Sequence, residues 1–171
     1  KFAADVERLL VAAGGEAAAV ILEPVSGATL GAAVPPKGYL EKVAEACARH
    51  GALLIADEVM TGCGRTGRNF AVEHWGVQPD ILVAGKGIAS GYAPLGAVIA
   101  NKRVVDGIAK GSGSFVHGFT YNAHPVAVAA GRAVLGRMKA QKLVEAASST
   151  GAEDAVGAVL ETELDTLQEC R

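Results

Sequence analysis

The sequence has few aromatic residues, few cysteines and little net charge, and the last two shortages each exclude a class of protein. Its three cysteines are scattered and form no C-x-x-C motif, which argues against a disulfide framework and fits a reducing, cytoplasmic compartment. A formal net charge of −2 implies no general attraction to nucleic acid or to an anionic membrane surface. No apolar run reaches the roughly 20 residues that a membrane-spanning helix needs. The sequence begins at Lys1-Phe2 with neither an initiator Met nor a signal-like segment, so we expect the natural N-terminus to be missing.

The residues that are abundant are small and apolar, since half of the chain is hydrophobic and Ala, Val and Gly dominate. Unbroken apolar runs without alternation are typical of strands buried on both faces. Such runs occupy residues 17–25, 52–57, 80–85 and 94–101, and helical patterns separate most of them. This order predicts an α/β fold, a mostly parallel sheet with helices on both faces. We also expect one long helix over 124–148, in which Gly131 and Gly136 allow close packing, and a last helix over 153–169.

Three ionisable residues stand at the ends of the predicted strands. Glu23 ends the first strand, Asp57 ends the second, and Lys86 follows the third. In parallel sheets, ligands bind outside the carboxyl ends of the strands. We therefore expect these three side chains to point into one crevice.

A glycine motif follows the second strand, and it allows two interpretations. Gly62, Gly64 and Gly67 spell G-x-G-x-x-G, the fingerprint of a dinucleotide site, but that fingerprint begins directly after its strand and opens a long helix. Here the first glycine comes five residues after Asp57, and residues 68–76 are too short for a crossover helix. The adjacent carboxylates would also repel a pyrophosphate. We therefore interpret the glycines as conformational, allowing a tight turn.

Asp57 and Lys86 each have an ordinary interpretation, as a surface carboxylate and a solvated lysine. Their surroundings favour a functional one, because Asp57 lies between two apolar stretches and Lys86 lies between Gly85 and Gly87 next to an apolar strand. A carboxylate held in such a place needs a cationic partner. A lysine that loses hydration favours its neutral amine, which can attack a carbonyl carbon.

Five segments in a fixed order resemble one family. They are ILEPV, PPKGYL, LLIADEVMTGCGRTG, PDILVAGKGI and HGFTYNAHPVAVAAG. Over residues 17–145 the chain is similar to class III pyridoxal-phosphate-dependent aminotransferases of fold type I. The resemblance implies that residues 1–147 form part of a cofactor-binding large domain. Residues 148–171 would then be a helical segment leading toward a C-terminal small domain.

The resemblance also implies a role for each of five residues. Lys86 resembles the lysine that forms the internal aldimine, a Schiff base with pyridoxal 5′-phosphate, and then carries protons. Asp57 resembles the partner of the pyridine nitrogen, and Val59 resembles the residue that packs on the cofactor ring. Thr120 resembles a phosphate ligand that reaches the neighbouring subunit's cofactor, which implies a homodimer. Glu23 is expected to brace the cofactor region by hydrogen bonding.

The implied reaction moves an amino group from an amine, ω-amino acid or amino acid to a keto acid such as pyruvate. Two alternatives remain: an aminomutase or related isomerase on the same fold, and an inactive remnant that serves as a dimerisation module. Met60 stands where many relatives have Gln, and Ala28 stands where ornithine-type relatives have an acid. The histidines lack metal-ligand spacing, so no metal is expected. The family's chains are more than twice as long, and we expect these 171 residues alone to be inactive.

Overall fold

The computed structural model describes residues 2–28 and 30–148. Helices and strands alternate along most of this part of the chain. They are α1 (Phe2–Ala12), β1 (Ala19–Leu22), α2 (Tyr39–His50), β2 (Leu53–Asp57), β3 (Ile81–Ala84), β4 (Ala97–Ala100), α3 (Lys102–Lys110), α4 (Pro125–Ala140) and α5 (Leu143–Ala147). Two short 3₁₀ helices, Ala71–Trp75 and Lys86–Ile88, flank β3.

The four strands form one sheet in the order β1-β2-β3-β4. β1, β2 and β3 run parallel, whereas β4 is antiparallel to β3. The expected α/β fold with a mostly parallel sheet is therefore confirmed. Because the three parallel strands run in the same direction, the residues that follow them emerge at one edge of the sheet.

α1 and α2 cover one face of the sheet. The core between α2 and β2 contains Leu40, Val43, Cys47 and Leu54, all of which are buried. α2 ends at Gly51, which adopts a left-handed φ of 73° and donates its N–H to the carbonyl of Ala48, a common way to terminate a helix. Burial, and secondarily the negative charge of Asp80, raise the pKa of the Cys47 thiol, so this cysteine is an inert core residue.

The opposite face of the sheet is more open. α3 and the segment after it border a groove of about 1030 Å³, whose floor includes Val83 and Val98. On this face Ile21 is 63% exposed and Val98 is 70% exposed, which is unusual for side chains on a central sheet. The sheet therefore has one packed face and one that the described residues cover only in part.

The C-terminal part differs from the sequence-based expectation. The single helix expected over 124–148 is wrong, because α4 ends at Ala140 and α5 begins at Leu143, with Lys142 between them at a left-handed φ of 51°. Gly131 does allow close packing, since a Cβ there would lie 2.4 Å from Leu95 Cδ2, but no atom lies within 4 Å of a Cβ built on Gly136. The helix expected over 153–169 lies outside the described residues, as does nearly all of the segment 148–171.

Within the described ranges, none of the helices is both long and apolar enough to cross a membrane.

Asp80 connects three strands at the start of β3. Its carboxylate accepts hydrogen bonds from the Leu54 N–H at 3.0 Å and from Asn101 Nδ2 at 2.9 Å. Arg103 lies 3.4 Å from the same carboxylate. Because the side chain of Asp80 is only 14% exposed, these bonds are poorly replaced by water.

We predict that Asp80→Ala lowers the free energy of unfolding by about 1–3 kcal/mol, because the Leu54 N–H loses its acceptor. The variant is made in the full-length protein that contains these residues. The matched control is Asp106→Ala, which removes an exposed ion pair with Lys102 and should change stability by less than about 1 kcal/mol. Thermal unfolding followed by circular dichroism measures both. Equal losses in the two variants would contradict the connecting role of Asp80.

Candidate active site

The three expected ionisable residues lie beyond the carboxyl ends of the three parallel strands. Asp57 is the last residue of β2, Glu23 follows β1, and Lys86 begins the short 3₁₀ helix after β3. The register pairs Asp57 with Val83, so Lys86 is only three residues from the residue beside Asp57. The fold therefore brings Asp57 and Lys86 to adjacent strand ends at one edge.

Asp57 is half-buried and only partly satisfied. Its Oδ1 accepts a hydrogen bond from the Val59 N–H at 3.0 Å. Its Oδ2 receives no hydrogen bond, and its carboxylate has no ion pair, from any residue in the described part of the chain. The cationic partner expected from the sequence is thus not supplied by these residues, and one oxygen remains available as an acceptor.

Val59 and Gly85 bring the ends of β2 and β3 into contact. A Cβ built on Gly85 would lie 3.2 Å from Val59 Cγ1, closer than such atoms normally pack. Gly85 has an extended backbone, so its value here is the absence of a side chain rather than an unusual dihedral angle. Val59 also lines the groove on the open face of the sheet.

Lys86 is exposed, and the burial that we expected for it is therefore wrong for the described chain. The neighbouring residues Gly85 and Gly87 have no side chains that could cover it. Its backbone has a positive φ of 39°, which is uncommon for a residue with a Cβ. Its Nζ makes no hydrogen bond or ion pair with a described residue, so the amine is available for chemistry.

Glu23 and Thr120 lie in different surroundings. Glu23 is exposed, and its Oε2 accepts a hydrogen bond from the Gly27 N–H at 2.6 Å, so it braces its own loop. Thr120 is exposed in a turn in which the Asn122 N–H donates to the Phe119 carbonyl. Phe119 and Asn122 line the same groove as Val59. A cofactor contact for Glu23 or Thr120 stays a prediction.

The glycine motif turns back on the chain's own C-terminal part. Gly64 and Gly67 have positive φ angles of 85° and 80°, and Cβ atoms built on them would lie 3.0 Å from Val144 and from Ser148. The space beside these two glycines is therefore taken by α5 and by Ser148, which follows it. A 3₁₀ helix of five residues follows the motif, too short for the long helix of a dinucleotide site.

Glu58 is the residue of this site that sequence reasoning missed. Its side chain is 1% exposed, and its carboxylate accepts hydrogen bonds from Thr61 Oγ1 and from the N–H groups of Ala71 and Val72. The sequence signal was an acid directly after Asp57, but two of its three donors come 13 and 14 residues later. Burial, and secondarily the charge of Glu58, raise the pKa of the nearby Cys63 thiol, so Cys63 lacks the features of an activated nucleophile.

The sequence model of one family, described as "Aminotransferase class-III", matches residues 1–170. The chain belongs to the class III aminotransferase family. This confirms the resemblance on which the expected fold and reaction class were based.

Relatives of this class III aminotransferase chain agree on the family and differ in the names they carry. It is 46% identical over 135 residues to an "Omega-aminotransferase" of Caulobacter vibrioides, covering 77% of this chain and 30% of that protein. It is 42% identical over 147 residues to "Ornithine aminotransferase 1" of Staphylococcus aureus, covering 86% and 36%.

A solved structure from an uncultivated Pseudomonas species, described as an amine transaminase in the "PLP-bound (internal aldimine) form", superposes with a TM-score of 0.82 at 46% identity. The superposition covers 88% of this chain and 35% of the chain of that structure. The class III aminotransferase chain thus spans about a third of the relatives that it matches, in keeping with the length expected for the family.

The described residues fit the pyridoxal phosphate that the family uses. Lys86 Nζ, which has no partner among the described residues, is the kind of group that reacts with an aldehyde, and Asp57 Oδ2 can accept a hydrogen bond from a protonated pyridine nitrogen. Gly85 has no side chain, so Val59 packs directly against the end of β3 and stays beside the strand ends that carry Asp57 and Lys86.

We predict that Gly62→Ala destabilises the class III aminotransferase by about 1–3 kcal/mol, because the added Cβ would lie 2.7 Å from the Glu58 carbonyl oxygen. The control is Gly107→Ala in α3, where no atom lies within 4 Å and helix propensity favours Ala by about 0.5–1 kcal/mol. Differential scanning calorimetry compares the two variants. Similar melting temperatures for both would show that the motif is not tightly packed.

Proposed function

We propose that the protein is a pyridoxal-phosphate-dependent transaminase that moves an amino group from an amine, ω-amino acid or amino acid to a keto acid such as pyruvate. One observation carries the proposal. Among the described residues, Lys86 Nζ and Asp57 Oδ2 are polar groups without partners, and they belong to the ends of adjacent parallel strands. The family to which the chain belongs gives this pair a chemical meaning.

In this proposal each residue has one task. Lys86 Nζ holds the cofactor by bonding to the cofactor's carbonyl carbon. When the substrate has displaced this amine, it moves a proton at the substrate carbon that bears the amino group. Asp57 Oδ2 accepts a hydrogen bond from the protonated pyridine nitrogen. When bound, pyridoxal phosphate supplies a carbonyl group for the amine and a pyridinium ring that takes up electrons. Val59 packs against one face of that ring, because its β-branched side chain is stiff.

The homodimer is proposed on the exposure of one segment. Residues 111–126 are all exposed, and they include the large apolar side chains Phe115 and Phe119. Burial of such apolar side chains against another protein surface is favourable, and the described residues do not bury them. In the proposed dimer, Thr120 lies in this segment and donates its hydroxyl to the phosphate of the cofactor bound by the partner subunit.

The amino donor is proposed only as a class. The relatives named above carry names for different donors. An amine-donor panel, with pyruvate and 2-oxoglutarate as acceptors, identifies the donor. Product formation without any keto acid would favour an isomerase instead.

We predict that Lys86→Ala abolishes covalent capture of pyridoxal phosphate, because no other amine holds that place after β3. The full-length protein that contains these residues is incubated with the cofactor and reduced with borohydride, and its peptides are analysed by mass spectrometry. The unmodified sequence should carry the adduct on Lys86, and Lys42→Ala, which changes an exposed lysine on α2, should keep it. An adduct that persists in Lys86→Ala would contradict the assignment.

We predict that Asp57→Asn keeps the covalent adduct but lowers kcat by about 100-fold or more, because an amide cannot balance the charge of the pyridinium ring. Stopped-flow measurement of the first half-reaction tests this prediction. A variant with unchanged kcat would show that Asp57 does not face the ring nitrogen.

A further inference from the structure

Glu58 is the most completely fixed acidic residue near the proposed site. Its side chain is 1% exposed, and both carboxylate oxygens are used. Oε2 accepts hydrogen bonds from Thr61 Oγ1 and from the Ala71 N–H at 3.0 Å, and Oε1 accepts one from the Val72 N–H at 2.9 Å. No described residue forms an ion pair with it, so these three donors stabilise its negative charge.

The backbone of Glu58 is fixed as well. Its N–H donates to the Val83 carbonyl at 2.8 Å, and its own carbonyl accepts from the Gly62 N–H at 2.8 Å. The first bond attaches it to β3, and the second fixes the start of the glycine motif. Residue 58 is therefore held from β3, from the following turn and from the short helix Ala71–Trp75.

The residues on either side of Glu58 are the two proposed to touch the cofactor ring. Side chains alternate between the two faces along a strand, and Glu58 follows the last residue of β2 with its side chain on the packed side. Asp57 and Val59 are directed to the other side, and the Val59 N–H donates to Asp57 Oδ1. A rotation at residue 58 would change the direction of both neighbours.

We propose that Glu58 is a positioning residue, whose saturated carboxylate holds the end of β2 so that Asp57 Oδ2 faces the pyridine nitrogen of the cofactor. This inference rests on the proposed function. Glu58 itself contacts neither substrate nor cofactor, because its oxygens are occupied on the packed side of the sheet.

The charge of the side chain matters in this arrangement, and not only its size. Glu58 presents two acceptor oxygens to three donors, and none of the three can become an acceptor except the Thr61 hydroxyl. Glutamine has nearly the same shape but offers one acceptor oxygen and an NH₂ group. At least one of the Ala71 and Val72 N–H groups would then face a donor, and residue 58 would have to shift.

The test uses the Glu58→Gln variant of the full-length protein that contains these residues, loaded with pyridoxal phosphate. We expect kcat to fall at least about tenfold while KM for the amino donor changes less than about twofold, as for an interaction felt only in the reacting state. The absorbance band of the bound cofactor should move toward the position that it has in Asp57→Asn. The matched control is Glu73→Gln, since Glu73 is exposed and accepts from the Phe70 N–H at the start of the same short helix. It should leave kcat and the band unchanged.

A second variant covers the case in which Glu58→Gln does not fold. Thr61→Val removes one hydrogen-bond donor to Glu58 while keeping the shape of the threonine side chain. The absorbance band and kcat should therefore change in the same direction as in Glu58→Gln, by a smaller amount. A lower melting temperature with an unchanged band and an unchanged kcat, in either variant, would overturn the positioning role. Failure of the unmodified protein to form a borohydride-stable adduct on Lys86 would instead overturn the proposed function, and this inference with it.

Discussion

The parallel register between β2 and β3 is the constraint on which the site depends. Asp57 lies opposite Val83, and the next residue, Glu58, donates its N–H to the Val83 carbonyl. This pairing brings the residues after both strands to one edge, where Val59 contacts Gly85 and the turn of Lys86 begins. A shift of one residue in the register would move Asp57 to the packed face of the sheet, and its free oxygen would no longer face the open side.

The adjacent acids Asp57 and Glu58 have opposite surroundings because they fall on opposite faces of the sheet. Alternation along the strand directs Asp57 to the open face and Glu58 to the packed face. A carboxylate on the packed face loses water and must find donors within the chain, and Glu58 finds three. Asp57 needs no such saturation because it is only half-buried, so it can keep one oxygen for a partner from outside the chain.

The apolar runs predicted where the strands lie, although the burial on both faces that such runs indicate is wrong for β1 and β4, which are largely exposed among the described residues. The order of the runs then placed Glu23, Asp57 and Lys86 at one edge. Features that depend on tertiary contacts were not predictable in this way. The expected helix 124–148 breaks at Lys142, and the chain after the break packs against Gly64 through α5 and against Gly67 through Ser148. Helical periodicity contains no signal of that contact. The exposure of Lys86 is of the same kind, because flanking glycines in a sequence do not show which other segments cover a side chain. The donors of Glu58 were missed because they lie far along the chain.

Saturation separates structural acids from acids that can bind a ligand, both at the carboxyl ends of the parallel strands and at their opposite, amino ends, where Asp80 lies. The carboxylate of Asp80 accepts hydrogen bonds from Leu54 and Asn101 and lies beside Arg103, so it can accept little more. The same holds for Glu58. A ligand that approached either acid would have to displace bonds that the fold already makes, whereas a ligand at Asp57 Oδ2 displaces only water. In the proposed function, this difference in hydrogen-bond occupancy, rather than any difference in residue type, is the reason for pairing the ring nitrogen with Asp57 and giving its neighbour the supporting role.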